Sequence, residues 1–241
     1  MSSVGLIGLG AIGGNLALNL QRSRDVHVYG RTKEKVDAVA NKSDAIHGHT
    51  DMDTFISEMD TPRTIFTALP NGEATDGVVK SLLEKLDPND TIVDCSNEHY
   101  RTSRKRGSKC RSKNVNYVGT GLSGGALGAL NGPALMMGCD EDVFVQHTDL
   151  FSSFCKNFTH MGNDYGVGHF TKMVHNGVEY GMLQGVADVY AYCNQDAFYM
   201  KQALDEAKKT DADGYIVNSA LKVLSDYNVS KILDVAEMNN T

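Results

Sequence analysis

The chain has 241 residues, 41% of them hydrophobic and 22% charged, and a formal net charge of −7. This composition is typical of a globular protein, and the acidic balance argues against a general nucleic-acid binder, which needs a basic surface. The five cysteines lack CxxC spacing, so we expect reduced thiols and a cytoplasmic location rather than a disulfide framework. No apolar run approaches a membrane span and no signal peptide is apparent, so no membrane association is expected.

Short apolar runs alternate with helical patterns in the first half of the chain. Strands are predicted at 4–7, 26–29, 64–69, 91–94 and 116–119, and helices at 12–21, 33–40, 78–86 and 101–113. Such alternation predicts βαβ units and a parallel sheet, hence an α/β, doubly wound Rossmann domain at residues 1–165. The many glycines of 120–138 argue against a helix there, and a last strand is predicted at 134–137, followed by a helix at 140–157 and a linker at 162–168.

The chain from residue 169 onward has a strongly helical pattern. Residues 169–196 contain no proline, and as one helix they would be about 40 Å long. Further helices are predicted at 203–209, 215–227 and 231–238. We therefore expect a short all-α domain at residues 166–241.

The turn after the first predicted strand has the pattern Gly8-x-Gly10-x-x-Gly13. In dinucleotide-binding folds the first glycine makes the tight turn, the second lets the backbone approach the pyrophosphate, and the third allows close helix–strand packing. The helix N-terminus then faces the phosphates. A position between a strand and a helix favours a nicotinamide dinucleotide site over a plain turn. The predicted contacts are Gly8, Gly10, Ala11, Ile12 and Gly13.

The end of the second predicted strand carries Arg31 and Thr32 in place of an acidic residue. A guanidinium suits a phosphate, so NADP is predicted over NAD; the alternative is that Arg31 and Lys33 form an ordinary solvated helix start. Leu69 and Asn97 follow later strands at the carboxyl edge of the sheet, where ligands bind, and are also expected to contact the cofactor. Asn97 could equally be a turn-capping residue.

Four polar residues share one face of the long predicted helix: Lys172, His175, Asn176 and Glu179, at spacing i, i+3, i+4 and i+7. A base, an acid and two hydrogen-bonding groups in a row suit proton transfer, and a lysine shielded from water can act as the base. The alternative is a solvated stripe with ion-pair character. Asn176 and Gly177 disfavour a helix interior, which indicates a ligand or another backbone close by.

The segment Gly121-x-Ser123-x-Gly125 also matches the nucleophile elbow of serine hydrolases. That motif needs a following helix, and 126–133 is a poor helix in sequence, so the hydrolase interpretation is disfavoured. A loop that presents backbone N–H groups and Ser123 to a small substrate is preferred, with a connecting turn as the alternative. No metal site is predicted, because the histidines show no HExxH pattern and the cysteines lack ligand spacing.

Together these segments resemble the decarboxylating 6-phosphogluconate dehydrogenase family over nearly the whole chain. The shared landmarks, in the family's order, are the glycine fingerprint, Arg31-Thr32, Asn97 with Tyr100-Arg101, Ser123-Gly124-Gly125 with Gly-Pro-Ala-Leu-Met at 132–136, and Lys-Met-Val-His-Asn-Gly-Val-Glu-Tyr-Gly at 172–181. The resemblance implies NADP-dependent oxidative decarboxylation of 6-phosphogluconate to ribulose 5-phosphate and CO2, a reaction of the pentose phosphate pathway.

The resemblance also implies the role of each residue. Lys172 would take the proton of the substrate 3-hydroxyl, and Glu179 would protonate C1 of the enediol left after loss of CO2. The sugar-acid phosphate would be held by Asn97, Ser123, Gly124, Gly125, His175, Asn176 and, at its phosphate, Tyr180. A shortened helical domain would leave an apolar face exposed, and such a face favours association with a second copy of the chain. A homodimer is therefore expected.

The chain departs from the family pattern in three ways. Gly30 stands where an asparagine is usual, and Ala126 replaces an acidic residue. The family's helical domain also continues far beyond residue 241 and supplies cations for the substrate phosphate, so weaker binding of a phosphorylated substrate is expected. Two alternatives therefore stay open: another β-hydroxyacid dehydrogenase that accepts smaller acids, and a truncated paralogue that binds dinucleotide or partners with weak or no activity.

Overall fold

The structure is a computed structural model that describes residues 2–192 and 197–207. The chain divides into two compact units, Met1–Met173 and Val174–Thr241. Within the described ranges, none of the helices is long and apolar enough to cross a membrane.

The first unit is built on one eight-stranded sheet with the order β3-β2-β1-β4-β5-β6-β7-β8. Neighbouring strands are parallel except β6 and β7, which are antiparallel. The strands are β1 Val4–Ile7, β2 Val26–Tyr29, β3 Ile46–His49, β4 Thr64–Thr67, β5 Thr91–Asp94, β6 Asn116–Ser123, β7 Ala134–Gly138 and β8 Asn157–Gly162.

Eight helices connect these strands, and two more follow within the described residues. They are α1 Ala11–Leu20, α2 Lys33–Ala40, α3 Met52–Ser57, α4 Glu73–Leu83, α5 Tyr100–Arg111, α6 Gly125–Asn131, α7 Glu141–Gln146, α8 Thr148–Phe154, α9 Val167–Tyr192 and α10 Ala197–Ala207. Apolar side chains form two separate buried clusters, one centred on residues such as Leu6 and Leu16 and the other on residues such as Ile65 and Ile92. This arrangement confirms the predicted doubly wound α/β fold followed by helices.

The strand order reverses at β1, which lies between β2 and β4. In doubly wound sheets the crevice for ligands opens at this switch point, outside the carboxyl ends of the strands. The residues at those ends are Gly8 after β1 and Ala68-Leu69 after β4. The fold thus brings the glycine turn to the place where a dinucleotide binds in such folds.

Two edge strands and one short helix were not predicted from the sequence. The strand β3 has the sequence Ile-His-Gly-His and, among the described residues, pairs with β2 alone, so pairing rather than apolar content defines it. The helix α3 follows it and has only six residues. At the other edge, β8 begins at Asn157, the predicted end of a helix, and runs into the predicted linker. That predicted helix at 140–157 is in fact two short helices, α7 and α8.

The prediction that 120–138 excludes a helix is wrong, since α6 lies there. Its carbonyl groups are held by asparagines of α1: Asn15 donates to the Ala126 carbonyl at 2.9 Å, and Asn19 donates to the Ala129 carbonyl at 3.1 Å. Tertiary contacts therefore offset the low helix propensity of its glycines.

Several element boundaries also differ from the predictions. The strand β4 ends at Thr67, α4 begins at Glu73, and β6 continues to Ser123 because its second half pairs with β7. The helix α9 begins inside the predicted linker. The predicted helix at 203–209 overlaps α10 as far as residue 207, while those at 215–227 and 231–238 lie outside the described residues.

Candidate active site

The glycine turn between β1 and α1 has the geometry that the fingerprint requires. Gly8 has a φ of +100°, a conformation that side chains rarely adopt, and a Cβ atom there would lie 2.3 Å from the Ala68 carbonyl oxygen. A Cβ atom at Gly13 would lie 1.8 Å from the Gly8 carbonyl oxygen. Both glycines are therefore required by the packing of the turn against β4 and α1.

Gly10 differs from Gly8 and Gly13, because a Cβ atom at Gly10 would meet nothing within 4 Å among the described residues. It is exposed and forms the N-cap of α1 without a side-chain cap, so the N–H groups of Ala11, Ile12 and Gly13 precede the first intrahelical bond. A cleft of about 410 Å³ borders the turn, and its lining includes Lys35. An open backbone, a helix N-terminus and a nearby cation fit the pyrophosphate of a dinucleotide.

Arg31 and Thr32 lie exposed between β2 and α2, and Thr32 is the N-cap of α2 without a side-chain cap bond. The neighbouring Lys33 is held by Asp37, with 2.9 Å between its Nζ and each carboxylate oxygen. Leu69 is half-buried, and its Cδ2 atom would lie 3.0 Å from a Cβ atom at Gly8, so it forms part of the wall beside the turn.

Asn97 is exposed in the loop after β5, and the residues on either side of it, Ser96 and Glu98, are buried. Arg106 of α5 fixes this loop, because its Nη2 donates to Glu98 at 2.7 Å and its Nη1 donates to Asp94 at 3.1 Å. The same guanidinium donates to Asp76 at 2.7 Å and to the Gly72 carbonyl at 3.2 Å. Arg106 thus ties the loop after β4 to the loop after β5.

The pKa values of the two buried carboxyl groups in this cluster are both lowered. Burial opposes ionisation of Asp94, but the His169 ring, hydrogen bonds from Ser96 and Tyr117, and the charge of Arg106 lower its pKa. Burial likewise opposes ionisation of Glu98, and hydrogen bonds from the Gly72 and His99 N–H groups and from Arg106 lower its pKa. Asp94 and Glu98 are therefore carboxylates at neutral pH.

His169 connects the start of α9 to the Asn97 loop. One ring nitrogen lies 2.9 Å from the Ser96 carbonyl and the other lies 2.8 Å from the Ser103 hydroxyl. The ring is buried, and this burial lowers its pKa even though Asp94 is nearby. The orientation of α9 at its first turn is consequently set by residues after β5.

Lys172 meets the end of β6, where its Nζ donates to the Ser123 hydroxyl at 3.0 Å. Two glycines permit this approach: a Cβ atom at Gly121 would lie 2.5 Å from that of Lys172, and one at Gly168 would lie 2.2 Å from the Gly119 carbonyl oxygen. Gly124, next to Ser123, has a φ of +114° and turns the chain into α6. The structure therefore joins the predicted base and the Ser-Gly-Gly loop.

The segment that matches the hydrolase motif is followed by a helix, α6. The prediction that 126–133 is a poor helix is therefore wrong. The described side-chain partner of the Ser123 hydroxyl is nevertheless an ammonium group, that of Lys172, rather than an imidazole that could act as its base. This arrangement favours substrate binding over acyl transfer.

The remaining predicted residues lie in the second unit, on the continuation of α9. His175 is exposed, with its Nδ1 3.4 Å from the Asn176 Oδ1 and 3.7 Å from a Glu179 carboxylate oxygen. Tyr180 is also exposed. A Cβ atom at Gly177 would meet nothing within 4 Å in the described part of the chain, so the expected neighbouring backbone is not found there.

A doubly wound α/β domain with a glycine turn at its switch point is typical of oxidoreductases that use a nicotinamide dinucleotide. The Lys172–Ser123 contact lies at the same edge of the sheet. Sequence profiles extend this assignment. The NAD binding domain of 6-phosphogluconate dehydrogenase matches residues 3–162, and the 6-phosphogluconate dehydrogenase C-terminal domain matches residues 168–241. The chain belongs to the 6-phosphogluconate dehydrogenase family.

Individual relatives agree with this family. The NAD(+)-dependent, decarboxylating 6-phosphogluconate dehydrogenase of Bacillus subtilis is 34% identical over 85% of this chain and 45% of its own length. A decarboxylating 6-phosphogluconate dehydrogenase of Staphylococcus aureus is 31% identical over 99% of this chain and 55% of its own length. The chain thus spans about half the length of the curated relatives it matches.

Solved structures give the same picture. The 6-phosphogluconate dehydrogenase of Plasmodium falciparum, described in apo form and with NADP+ and 6-phosphogluconate, superposes with a TM-score of 0.78 at 26% identity, covering 92% of this chain and 50% of that one. A 3-hydroxyisobutyrate dehydrogenase of Mycobacterium tuberculosis shares the fold, with a TM-score of 0.76 at 20% identity and coverage of 90% and 73%.

Three residues that support the site were not predicted in that role from the sequence: Asp94, Arg106 and His169. Arg106 lies among the basic residues of a helix that looks solvated in sequence, and only the fold shows it to be buried. A weak signal existed for His169, which stands three residues before Lys172 and so lies on nearly the same helical face.

Proposed function

We propose that the chain catalyses the NADP-dependent oxidative decarboxylation of 6-phosphogluconate to ribulose 5-phosphate and CO2. The observation that carries this proposal is the 3.0 Å hydrogen bond from Lys172 to Ser123. It lies at the carboxyl edge of the sheet that also carries the dinucleotide-binding turn. Family membership, and a relative described with NADP+ and 6-phosphogluconate, support the choice of substrate.

The proposed mechanism assigns one proton transfer to each of two residues. Lys172, in its neutral amine form, accepts the proton of the substrate 3-hydroxyl, and NADP, when bound, would supply the hydride acceptor. The resulting 3-keto acid loses CO2 readily, because its carbonyl group takes up the electron pair of the breaking bond. Glu179 then donates a proton to C1 of the enediol. Ser123, the Gly124-Gly125 backbone and Asn97 orient the sugar acid, together with His175, Asn176 and Tyr180.

A direct assay tests this function. The purified chain is mixed with 6-phosphogluconate and NADP, and the absorbance of reduced cofactor is followed together with CO2 release. The proposal predicts equal rates for the two products and a lower rate with NAD. Binding of NADP by calorimetry without turnover would instead favour a dinucleotide-binding protein without this activity.

The choice of NADP rests on Arg31 and Thr32, which stand exposed after β2, where the adenosine ribose of a dinucleotide is bound. The Bacillus subtilis relative is named as NAD(+)-dependent, so the choice needs its own test. Replacing Arg31 by Gln should weaken NADP binding about 10- to 100-fold and leave NAD binding unchanged, because one charge-assisted contact is lost. Lys33→Gln is the matched control, since Lys33 is paired with Asp37. Equal losses for both cofactors in Arg31→Gln would contradict the assignment.

Oxidation of a smaller β-hydroxyacid without decarboxylation is the second candidate. The observation in its favour is that the first unit alone contains the dinucleotide turn and the Lys172–Ser123 contact, which oxidation requires. Glu179, which lies in the second unit, is required only for protonation of the enediol. A Glu179→Gln variant that kept full NADP reduction with 6-phosphogluconate would favour this candidate. Turnover of 3-hydroxyisobutyrate by the unchanged protein would support it further.

A further inference from the structure

Three histidines share one face of the sheet at its β2–β3 edge, remote in sequence from the residues proposed for catalysis. The register pairs His27 of β2 with His47 of β3, and His49 returns to the same face two residues later. His27 and His49 are both buried, at 7% exposure each, and their rings stack at 5.2 Å between centroids. The Nδ1 of His27 lies 3.0 Å from the Nε2 of His49.

A carboxylate completes the group. Glu58, the C-cap residue of α3, places a carboxylate oxygen 3.8 Å from the Nε2 of His49. The donor atoms of His27, His49 and Glu58 all lie within 4.8 Å of one another. Ligands of one tetrahedral zinc ion are about 3.4 Å apart, given bonds of about 2.0–2.1 Å. The two histidine nitrogens are already near this separation, and the half-exposed Glu58 side chain can close the remaining gap.

The two imidazoles are buried and their ring nitrogens already lie close together, so the sheet holds two donor atoms in place. Imidazole nitrogen is a common zinc ligand. A direct hydrogen bond between the rings accounts for the 3.0 Å contact without an ion, but it gives the Glu58 carboxylate no role.

The site is open on one side. A cleft of about 570 Å³ borders it, and both His49 and Glu58 line that cleft. Three protein ligands with a fourth position facing solvent form a common arrangement for zinc. His47 also lines the cleft, but its Nε2 lies 3.9 Å from the Asp25 carboxylate and is not among the clustered donor atoms.

We propose that the Nδ1 of His27, the Nε2 of His49 and the carboxylate of Glu58 bind one divalent transition-metal ion of the zinc class, with a water molecule in the fourth position. The ion would link β2 and β3, which pair with each other in the sheet, to the C-terminal end of α3. The site is separate from the dinucleotide turn and from Lys172, so its test does not depend on the proposed reaction.

The test is a titration of the chelator-treated, full chain with Zn²⁺ by calorimetry, with Co²⁺ absorption spectra as a report on coordination. We expect one ion per chain and a melting temperature several degrees higher with Zn²⁺. Glu58→Gln removes a half-exposed ligand without disturbing the core, so it should keep the metal-free melting temperature and lose about ten-fold or more in Zn²⁺ affinity. His49→Gln should abolish stoichiometric binding.

His47→Gln is the matched control, because it removes an exposed imidazole from the same strand face and should leave the affinity unchanged. Absence of stoichiometric binding in the unchanged protein would overturn the proposal. So would an affinity that is unaffected by Glu58→Gln and His49→Gln, or one that falls as much in His47→Gln as in His49→Gln.

Discussion

Lys172 and Ser123 are joined by a hydrogen bond of 3.0 Å, which links the first turns of α9 to the last residue of β6. The Lys172 amino group is thereby held at the sheet edge where Gly8 and Leu69 also lie. A proton acceptor in this position acts best when its own geometry is fixed before the substrate binds.

Replacing Lys172 by Met should reduce kcat for 6-phosphogluconate oxidation by about 10²- to 10⁴-fold, which is the range for loss of a general base. NADP affinity measured by calorimetry should stay unchanged. Lys172→Arg keeps the positive charge but offers a group that does not deprotonate in proteins, so it should lose as much activity. If Lys172→Arg retained most of the activity, the residue would act through its charge and the base assignment would fail.

Gly10 and Gly13 should respond differently to alanine. Gly13→Ala places a Cβ atom 1.8 Å from a backbone oxygen, so it should lower the free energy of unfolding by about 1–3 kcal/mol. Gly10 has a φ of −74° and open space around it, so Gly10→Ala should fold with unchanged stability. Its methyl group would occupy the path of the pyrophosphate and should reduce dinucleotide affinity about ten-fold or more.

Calorimetry of unfolding measures the stability of the two variants, and calorimetric titration with the cofactor measures their dinucleotide affinity. Full dinucleotide affinity in Gly10→Ala would show that the ligand does not approach this turn.

Arg106 should be the most sensitive residue of its helix. Its side chain is 3% exposed and is paired with the fully buried Asp94, so Arg106→Met should destabilise the protein by about 3–5 kcal/mol. Arg104 on the same helix pairs with Asp164, but its side chain is 52% exposed and this ion pair is screened by solvent, so Arg104→Met should cost much less than Arg106→Met. Urea unfolding measures both values, and similar costs for the two variants would contradict the buried-pair argument.

Stability should fall as the pH drops below about 6.5, the usual value for an unfolded histidine. Burial lowers the pKa of His147, so the unfolded chain takes up a proton that the folded chain does not, and this favours unfolding at lower pH. The neutral ring is held between the Val143 carbonyl at 2.8 Å and the Thr64 hydroxyl at 3.1 Å. The decline in unfolding free energy between about pH 7 and 5 should be shallower in His147→Gln.

His99→Gln, which removes an exposed ring, is the control for that measurement. A decline with equal slope in His147→Gln and the unchanged protein would contradict the assignment.

The sequence predicted those elements whose signal is local. Val4–Ile7 and the following glycines are defined by apolar residues and turn chemistry within ten positions, so both the strand and the dinucleotide turn were predictable. The strand β3 was not, because its Ile-His-Gly-His sequence becomes a strand only by pairing with β2. The helix α6 depends on Asn15 and Asn19, which are more than 100 residues away.

The candidate site divides in the same way. Lys172 was predicted from helical spacing, whereas its contact with Ser123 depends on how α9 meets β6. The His27–His49–Glu58 cluster has no sequence pattern, because the first two residues are 22 positions apart and only the parallel register brings them together.

Arg106 serves Asp76, Asp94 and Glu98 at once, and this sharing constrains how the protein can change over evolutionary time. Loss of Arg106 leaves two buried carboxylates without a cation. If one carboxylate is neutralised, the others still need Arg106 as their partner. A single replacement of Arg106, Asp94 or Glu98 therefore leaves a buried charge without its partner and destabilises the protein. We expect these positions to drift together, through compensating replacements, or to stay fixed while the exposed face of the same helix varies freely.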